Sequence, residues 1–99
     1  MSISEMSPTA FQEEADLLKA MGHPIRLCIL KGLSGIDSCN VSHMQACLSV
    51  PQSTLSQHLG VLRNAGIVSG QRNGPEVNYR ITDNRVCHIL SLLFPDPAE

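Results

Sequence analysis

Aromatic residues are nearly missing from this chain: no Trp, one Tyr and two Phe among 99 residues. Any core must therefore rest on Leu, Ile, Val, Met and Ala. Long apolar runs are missing too. None approaches the ~18 residues that a membrane span requires, and MSISEMSPTAFQEEADLLKAMG at the start lacks a basic-then-apolar secretory pattern. The expected location is the cytoplasm. Four cysteines (Cys28, Cys39, Cys47, Cys87) have no CxxC spacing, so free thiols are the default in a reducing compartment. There is no Ser/His/Asp order, no paired-carboxylate site and no phosphate-binding Gly loop. A chain this short also has little room for a substrate cleft. No enzyme activity and no cofactor are expected.

An excess of basic charge is absent as well: the net charge is −2. The charge is unevenly placed. Residues 1–49 hold Lys19, Arg26 and Lys31 against Glu5, Glu13, Glu14, Asp16 and Asp37, whereas residues 50–90 hold Arg63, Arg72, Arg80 and Arg85 against Glu76 and Asp83. Local charge near phosphates matters more than the total. The balance permits a nucleic-acid partner without demanding one.

What the chain does have is helical periodicity broken at regular intervals. Ser7-Pro8 reads as a cap and first turn. Phe11, Ala15 and Leu18 follow at i, i+4 and i+7, until Gly22 and His23-Pro24 interrupt. A second, mostly apolar helix runs from about Pro24 to Leu33, then a loop over 34–40 with room for one short strand. Val41–Leu48 and Pro51 to about Asn64 are two further helices around a tight polar turn. Gly66 suits a left-handed cap. Ile67–Arg72 and Glu76–Ile81 read as strands joined through Asn73-Gly74-Pro75, and Asn-Gly is a strong hairpin signal. A last helix begins near Asp83, carries Val86, Ile89, Leu90 and Leu93, and stops at Pro95.

The expected fold is mainly α with a small β part: a winged helix-turn-helix of about five helices and a two-stranded hairpin wing. Residues 7–94 would form one DNA-binding and dimerisation domain, with loose ends at 1–6 and 95–99.

Residues 46–69, ACLSVPQSTLSQHLGVLRNAGIVS, carry the functional signal. With Leu55 at zero degrees and about 100° per residue, Leu59 and Leu62 lie within roughly 40° of it. Ser53, Gln57 and Asn64 lie opposite. Thr54 sits on one shoulder; Gln52, Ser56 and Arg63 sit on the other. Gln can make paired hydrogen bonds to adenine, and Ser or Thr can bond bases or phosphates. Gln52 to Thr54, nearest the helix N-terminus, would reach deepest. Arg72 beside Asn73 at the wing tip could grip phosphate or enter a minor groove.

The segments LLKAMGHPIRLCILKGL at 17–33, PQSTLSQHLGVLRNAGIV at 51–68 and NGPEVNYRI at 73–81 resemble the ArsR/SmtB family of bacterial winged-helix repressors, over about residues 10–93. Within it the chain looks most like the short PagR-type members that lack the usual metal-ligand sets. The resemblance implies a homodimer on a palindromic operator in double-stranded DNA, blocking transcription. It implies a dimer interface from the first and last helices, here Phe11, Ala15 and Leu18 with Val86, Ile89, Leu90 and Leu93. His58, about 60° off the apolar stripe, could bond phosphate or pack between helices, and the resemblance makes it a candidate DNA contact.

Effector motifs of the family are not matched. Arsenic sensors carry CxC on the helix before the recognition helix, where this chain has Asn40-Val41-Ser42. Zinc sensors pair Asp and His at the start of the last helix, where this chain has Asp83 but Arg85. Thiol sensors pair cysteines on the second and last helices. Cys28 and Cys87 are on those helices, displaced from the usual positions, and form a candidate redox pair. Cys39, His43 and Cys47, spaced by four, would share a face able to hold a thiophilic ion if the helix reached back to Cys39. The competing reading is a protein-interaction module in which the winged helix only supports dimerisation.

Overall fold

A computed structural model describes residues 6–36 and 38–95. The expected loose ends fall outside these residues apart from Met6 and Pro95. The chain opens with a 3-10 turn at Pro8–Phe11. Then come α1 (Gln12–Met21), α2 (Pro24–Leu33), β1 (Cys39–Asn40), α3 (Val41–Leu48), α4 (Gln52–Asn64), β2 (Val68–Asn73), β3 (Glu76–Ile81) and α5 (Asn84–Leu93). Ser7 does not cap the first turn; its hydroxyl pairs with that of Thr9 instead. The α-helix proper therefore starts later than Ser7-Pro8 suggests.

Local chemistry accounts for most of the boundaries. Pro24 opens α2 while the His23 side chain accepts from the Ile25 amide. Asn40 accepts from the His43 amide and so caps α3, and Asp83 accepts from the Arg85 amide at the start of α5. Such caps satisfy amides that have no partner within the helix. Gly66, at φ 76°, supplies the left-handed residue after α4.

The sheet has three antiparallel strands in the order β1-β3-β2, so β1 adds a short third strand to the expected hairpin. Register pairs Asn73 with Glu76, which leaves Gly74-Pro75 as the two-residue loop. Asn-Gly favours a type I′ turn, with positive φ at both central residues. Proline cannot adopt that φ. Gly74 at φ 66° followed by Pro75 fits the type II′ pattern instead.

One apolar core joins the elements. Leu17, Ala20 and Met21 of α1 meet Ile29, Leu30 and Leu33 of α2, Met44 of α3, and Leu55, Leu59 and Leu62 of α4. Ile67, Val68 and Tyr79 enter from the hairpin, and Val86 and Leu90 from α5. No buried residue is polar or charged among those described.

This burial corrects the expected interface stripe. Val86 and Leu90 are 0% and 2% exposed, so they pack within their own chain and are closed to a partner. Phe11, Ala15 and Leu18 stay exposed, Ile89 and Leu93 are half-buried and exposed, and Leu92 is 82% exposed. The open apolar surface of α5 is thus centred on Leu92 and Leu93.

The Arg85 guanidinium donates to both oxygens of Asp83 as the same carboxylate caps α5. These bonds, the side-chain bonds first, hold the Asp83 carboxyl below the usual carboxylate range. A depressed folded-state pKa stabilises the fold above the unfolded carboxyl's value of about 3.9 and ceases to do so as pH falls through the folded value. Replacing Asp83 with Ala should lower stability at pH 7 by about 1 kcal/mol. Urea melts should show that deficit shrinking as the pH is taken well below 4.

Candidate nucleic-acid interface

Helix α4 is set by its buried stripe. Leu55 and Leu62 are fully buried and Leu59 is nearly so. With that side fixed, Ser53, Gln57, Gln52, Ser56 and Arg63 are all exposed. The approach to α4 is a turn in which Ser49 is left-handed, at φ 55° and ψ 41°. Pro51 follows in an extended conformation, and no side chain caps the helix start. The first amides of α4 are therefore free to meet an anion.

The two shoulders of α4 have different neighbours. On one shoulder, Gln52, Ser56 and Arg63 share a cleft of about 410 Å³ with Ser42 and Gln45 of α3 and Arg72 of the wing. Four of the residues expected to touch DNA (Gln52, Ser56, Arg63, Arg72) are thus brought together around one concavity. Arg63 is held in place: its Nη1 donates to the Tyr79 hydroxyl at 3.1 Å. Tyr79 sits opposite Gly70 in the hairpin register. A Cβ at Gly70 would come within 2.9 Å of the Tyr79 ring, so only glycine lets the ring lie across the strand.

The other shoulder turns inward. Thr54 is half-buried. His58, expected as a DNA contact, instead accepts from Arg26 Nη1 at 3.1 Å and packs against His23 with ring centroids 4.3 Å apart. Burial, then His23 and Arg26, keep the His58 imidazole below its ordinary pKa. At about 60° from the apolar stripe, it lies against α2, away from the open side. The same Arg26 donates through Nε to the Ala20 carbonyl and through Nη2 to that of Lys19. One guanidinium thus satisfies the end of α1 and links it to α4.

The wing presents Arg72 and Asn73, both exposed. Arg80 lines a second cleft with them, together with Gln71 and Asn78. Among the described residues the one ion pair is Arg85–Asp83, so Arg72 and Arg80 keep their charge available. Arg80, Arg26 and Tyr79 were not expected at the site. Arg80 follows from strand alternation, since it points away from the core-facing Tyr79; Arg26 and Tyr79 act only through tertiary contacts.

Cys39, His43 and Cys47 line one cleft between α2 and α3, though not by the expected helical route. Helix α3 begins at Val41, and Cys39 belongs to β1, so helical spacing does not carry the face back to Cys39. Among the described residues no three His, Cys, Asp or Glu side chains are placed to hold a metal ion. Cys28 and Cys87 are both free and line different clefts, Cys28 between α2 and α3 and Cys87 between α2 and α5.

Comparison with known proteins gives consistent results. Residues 23–69 match the family described as bacterial regulatory protein, arsR family. The transcriptional repressor PagR of Bacillus anthracis is 38% identical over 86 residues, covering 87% of this chain and 86% of the repressor. Its crystal structure superposes with a TM-score of 0.78 at 37% identity, over 88% of this chain and 99% of that one. HlyU from Vibrio cholerae gives a TM-score of 0.83 at 31% identity, over 95% and 100% of the two chains. The repressor SmtB of Mycobacterium tuberculosis is 41% identical over 75 residues, which are 76% of this chain but only 55% of that repressor.

Tyr79→Phe should cost about 1 kcal/mol through the lost bond from Arg63. Gly70→Ala should cost more, because the ring itself must move. Thermal melts that put the two in the opposite order would show that Tyr79 does not depend on the bare strand position.

Proposed function

The chain belongs to the arsR family of bacterial regulatory proteins, and from that premise we propose that it is a sequence-specific DNA-binding repressor. It acts in the cytoplasm as a homodimer on a palindromic operator. The observation that carries this reading is the exposed polar side of α4. Ser53 and Gln57 point outward beyond the buried leucines, flanked by Gln52, Ser56 and Arg63, with the exposed Arg72 of the wing on the same side.

Base reading falls to Gln52, Ser53, Ser56 and Gln57, because they combine exposure with donors and acceptors at the leading end of α4. Arg72 and Arg80 on the wing and Arg63 on α4 supply charge to phosphates, with Asn73 beside them. His58 and Thr54 act indirectly by seating α4. Placement of cations on this side explains how an acidic chain meets a polyanion: Glu13, Glu14 and Asp16 are all on α1, remote in sequence from the wing.

Dimerisation follows from surface that a lone chain leaves wet. Phe11 of the 3-10 turn, Leu18 of α1, and Leu92, Leu93 and Phe94 at the end of α5 are all exposed. Covering a Leu side chain fully is worth about 1.5–3 kcal/mol. A two-fold dimer through these helix ends would present two α4 helices about one DNA turn apart, roughly 34 Å.

Binding to duplexes selected from random sequence tests the reading. Gln57→Ala should weaken the selected site by about 1–3 kcal/mol and random DNA much less. Arg72→Ala should weaken both and reduce the salt slope by about one. Equal loss of Gln57→Ala on both DNAs would remove the base-reading role. Leu92→Glu should convert the dimer to monomer in sedimentation experiments without loss of helicity; an unchanged dimer would place the interface elsewhere.

A further inference from the structure

Helix α3 has two working faces. Ser42 and Gln45 look into the wing cleft. His43, Met44, Cys47 and Leu48 look the other way, into a cleft of about 140 Å³ between α2 and α3. Ile29, Leu33 and Ile36 complete an apolar wall there, and Cys28 and Cys39 reach the same cleft. A cavity of roughly this size can hold a molecule as large as benzene.

The thiols differ in their surroundings. Cys39 is half-buried and its Sγ donates to the Asn40 carbonyl at 3.5 Å. Burial, and then the neighbouring Cys47, raise its pKa, so it stays protonated. Cys47 is exposed, one helical turn from His43, with Sγ 3.6 Å from His43 Nε2. The thiolate is the reactive form of cysteine, and an adjacent imidazole is a base that can produce it. The apolar wall favours a carbon compound over an ion, and among the described residues no three of the side chains are placed to hold a metal ion.

We propose that this cleft captures a small apolar α,β-unsaturated carbonyl compound, with Cys47 as the nucleophile and His43 as its base. The Cys47 thiol gives its proton to His43 Nε2. The sulfur lone pair attacks the β-carbon and forms the S–C bond. The C=C π pair moves to the carbonyl as an enolate, and the proton from His43 returns to the α-carbon. The product is a thioether; nothing is oxidised or reduced, and no co-reactant is needed.

The consequence for DNA rests on the repressor reading. Cys47 lies two residues before left-handed Ser49, whose turn leads into α4. An adduct wedged between α2 and α3 would displace that turn and lower DNA affinity.

The test treats the purified full chain with ethyl vinyl ketone, and in parallel with polar acrylamide, and follows each cysteine by peptide mass spectrometry. Cys47 should react with the enone about tenfold or more faster than Cys28 or Cys87, and His43→Ala should remove that advantage and shift its pH profile. Gly32 lines the cleft and a Cβ there meets nothing within 4 Å. Gly32→Leu should therefore fold, fill the cleft, and slow the enone at Cys47 without slowing acrylamide. Even labelling of the exposed cysteines, or equal slowing of both reagents, would overturn the site. Adduct formation with unchanged DNA affinity would overturn the coupling alone. Failure of the untreated protein to bind DNA would count against the repressor reading, while the labelling result would still decide the chemistry.

Discussion

With Leu55, Leu59 and Leu62 sealed against the core, helix α4 has one rotational setting, and every functional feature of the molecule is referred to it. Turning the helix by even one residue would bring a polar group into the core in place of a leucine. Burying an unsatisfied hydroxyl or amide costs about 1–3 kcal/mol in protein contexts, on top of the lost apolar burial. The same packing that stabilises the domain therefore aims Ser53 and Gln57 at solvent.

Two clamps then fix α4 from either shoulder. On the α2 side, Arg26 reaches the carbonyls that close α1 and the ring of His58. On the wing side, Tyr79 holds Arg63 and depends on the missing side chain at Gly70. The first clamp connects the recognition helix to the helix that offers apolar surface to a partner. The second connects it to the hairpin that carries Arg72 and Arg80. In the proposed reading, association, base reading and phosphate contact would thus meet on one rigid element.

Much of this was legible in the residues. The recognition helix was legible because its leucines follow a 3.6-residue period and its ends are marked by Pro51 and Gly66. The caps at His23, Asn40 and Asp83 are local chemistry, though only Asp83 was read as one in advance. The stripe on α5 was misread for a physical reason: Val86, Ile89, Leu90 and Leu93 form a band wide enough to serve two surfaces. Which edge the core takes depends on how α5 lies against the rest of the chain, and the core took Val86 and Leu90. Of the two readings open for His58, packing between helices is the one its contacts show, and its partner Arg26, 32 residues away in sequence, could not be read from local spacing. The turn at Gly74-Pro75 was displaced by one residue because strand pairing continues through Asn73. Cys39 reaches the side of His43 and Cys47 from β1 and not along the helix, because Asn40 caps α3 and ends any extension of it.

The central claim is that the open side of α4, together with the wing, is the surface that meets DNA. Backbone amide NMR on the full chain, titrated with a selected duplex, tests it most directly. The account predicts shifts concentrated at Gln52–Gln57, Arg63 and Arg72–Gly74, with the buried positions of α2 little changed. Shifts confined to α1 and α5, with α4 and the wing silent at saturation, would contradict it.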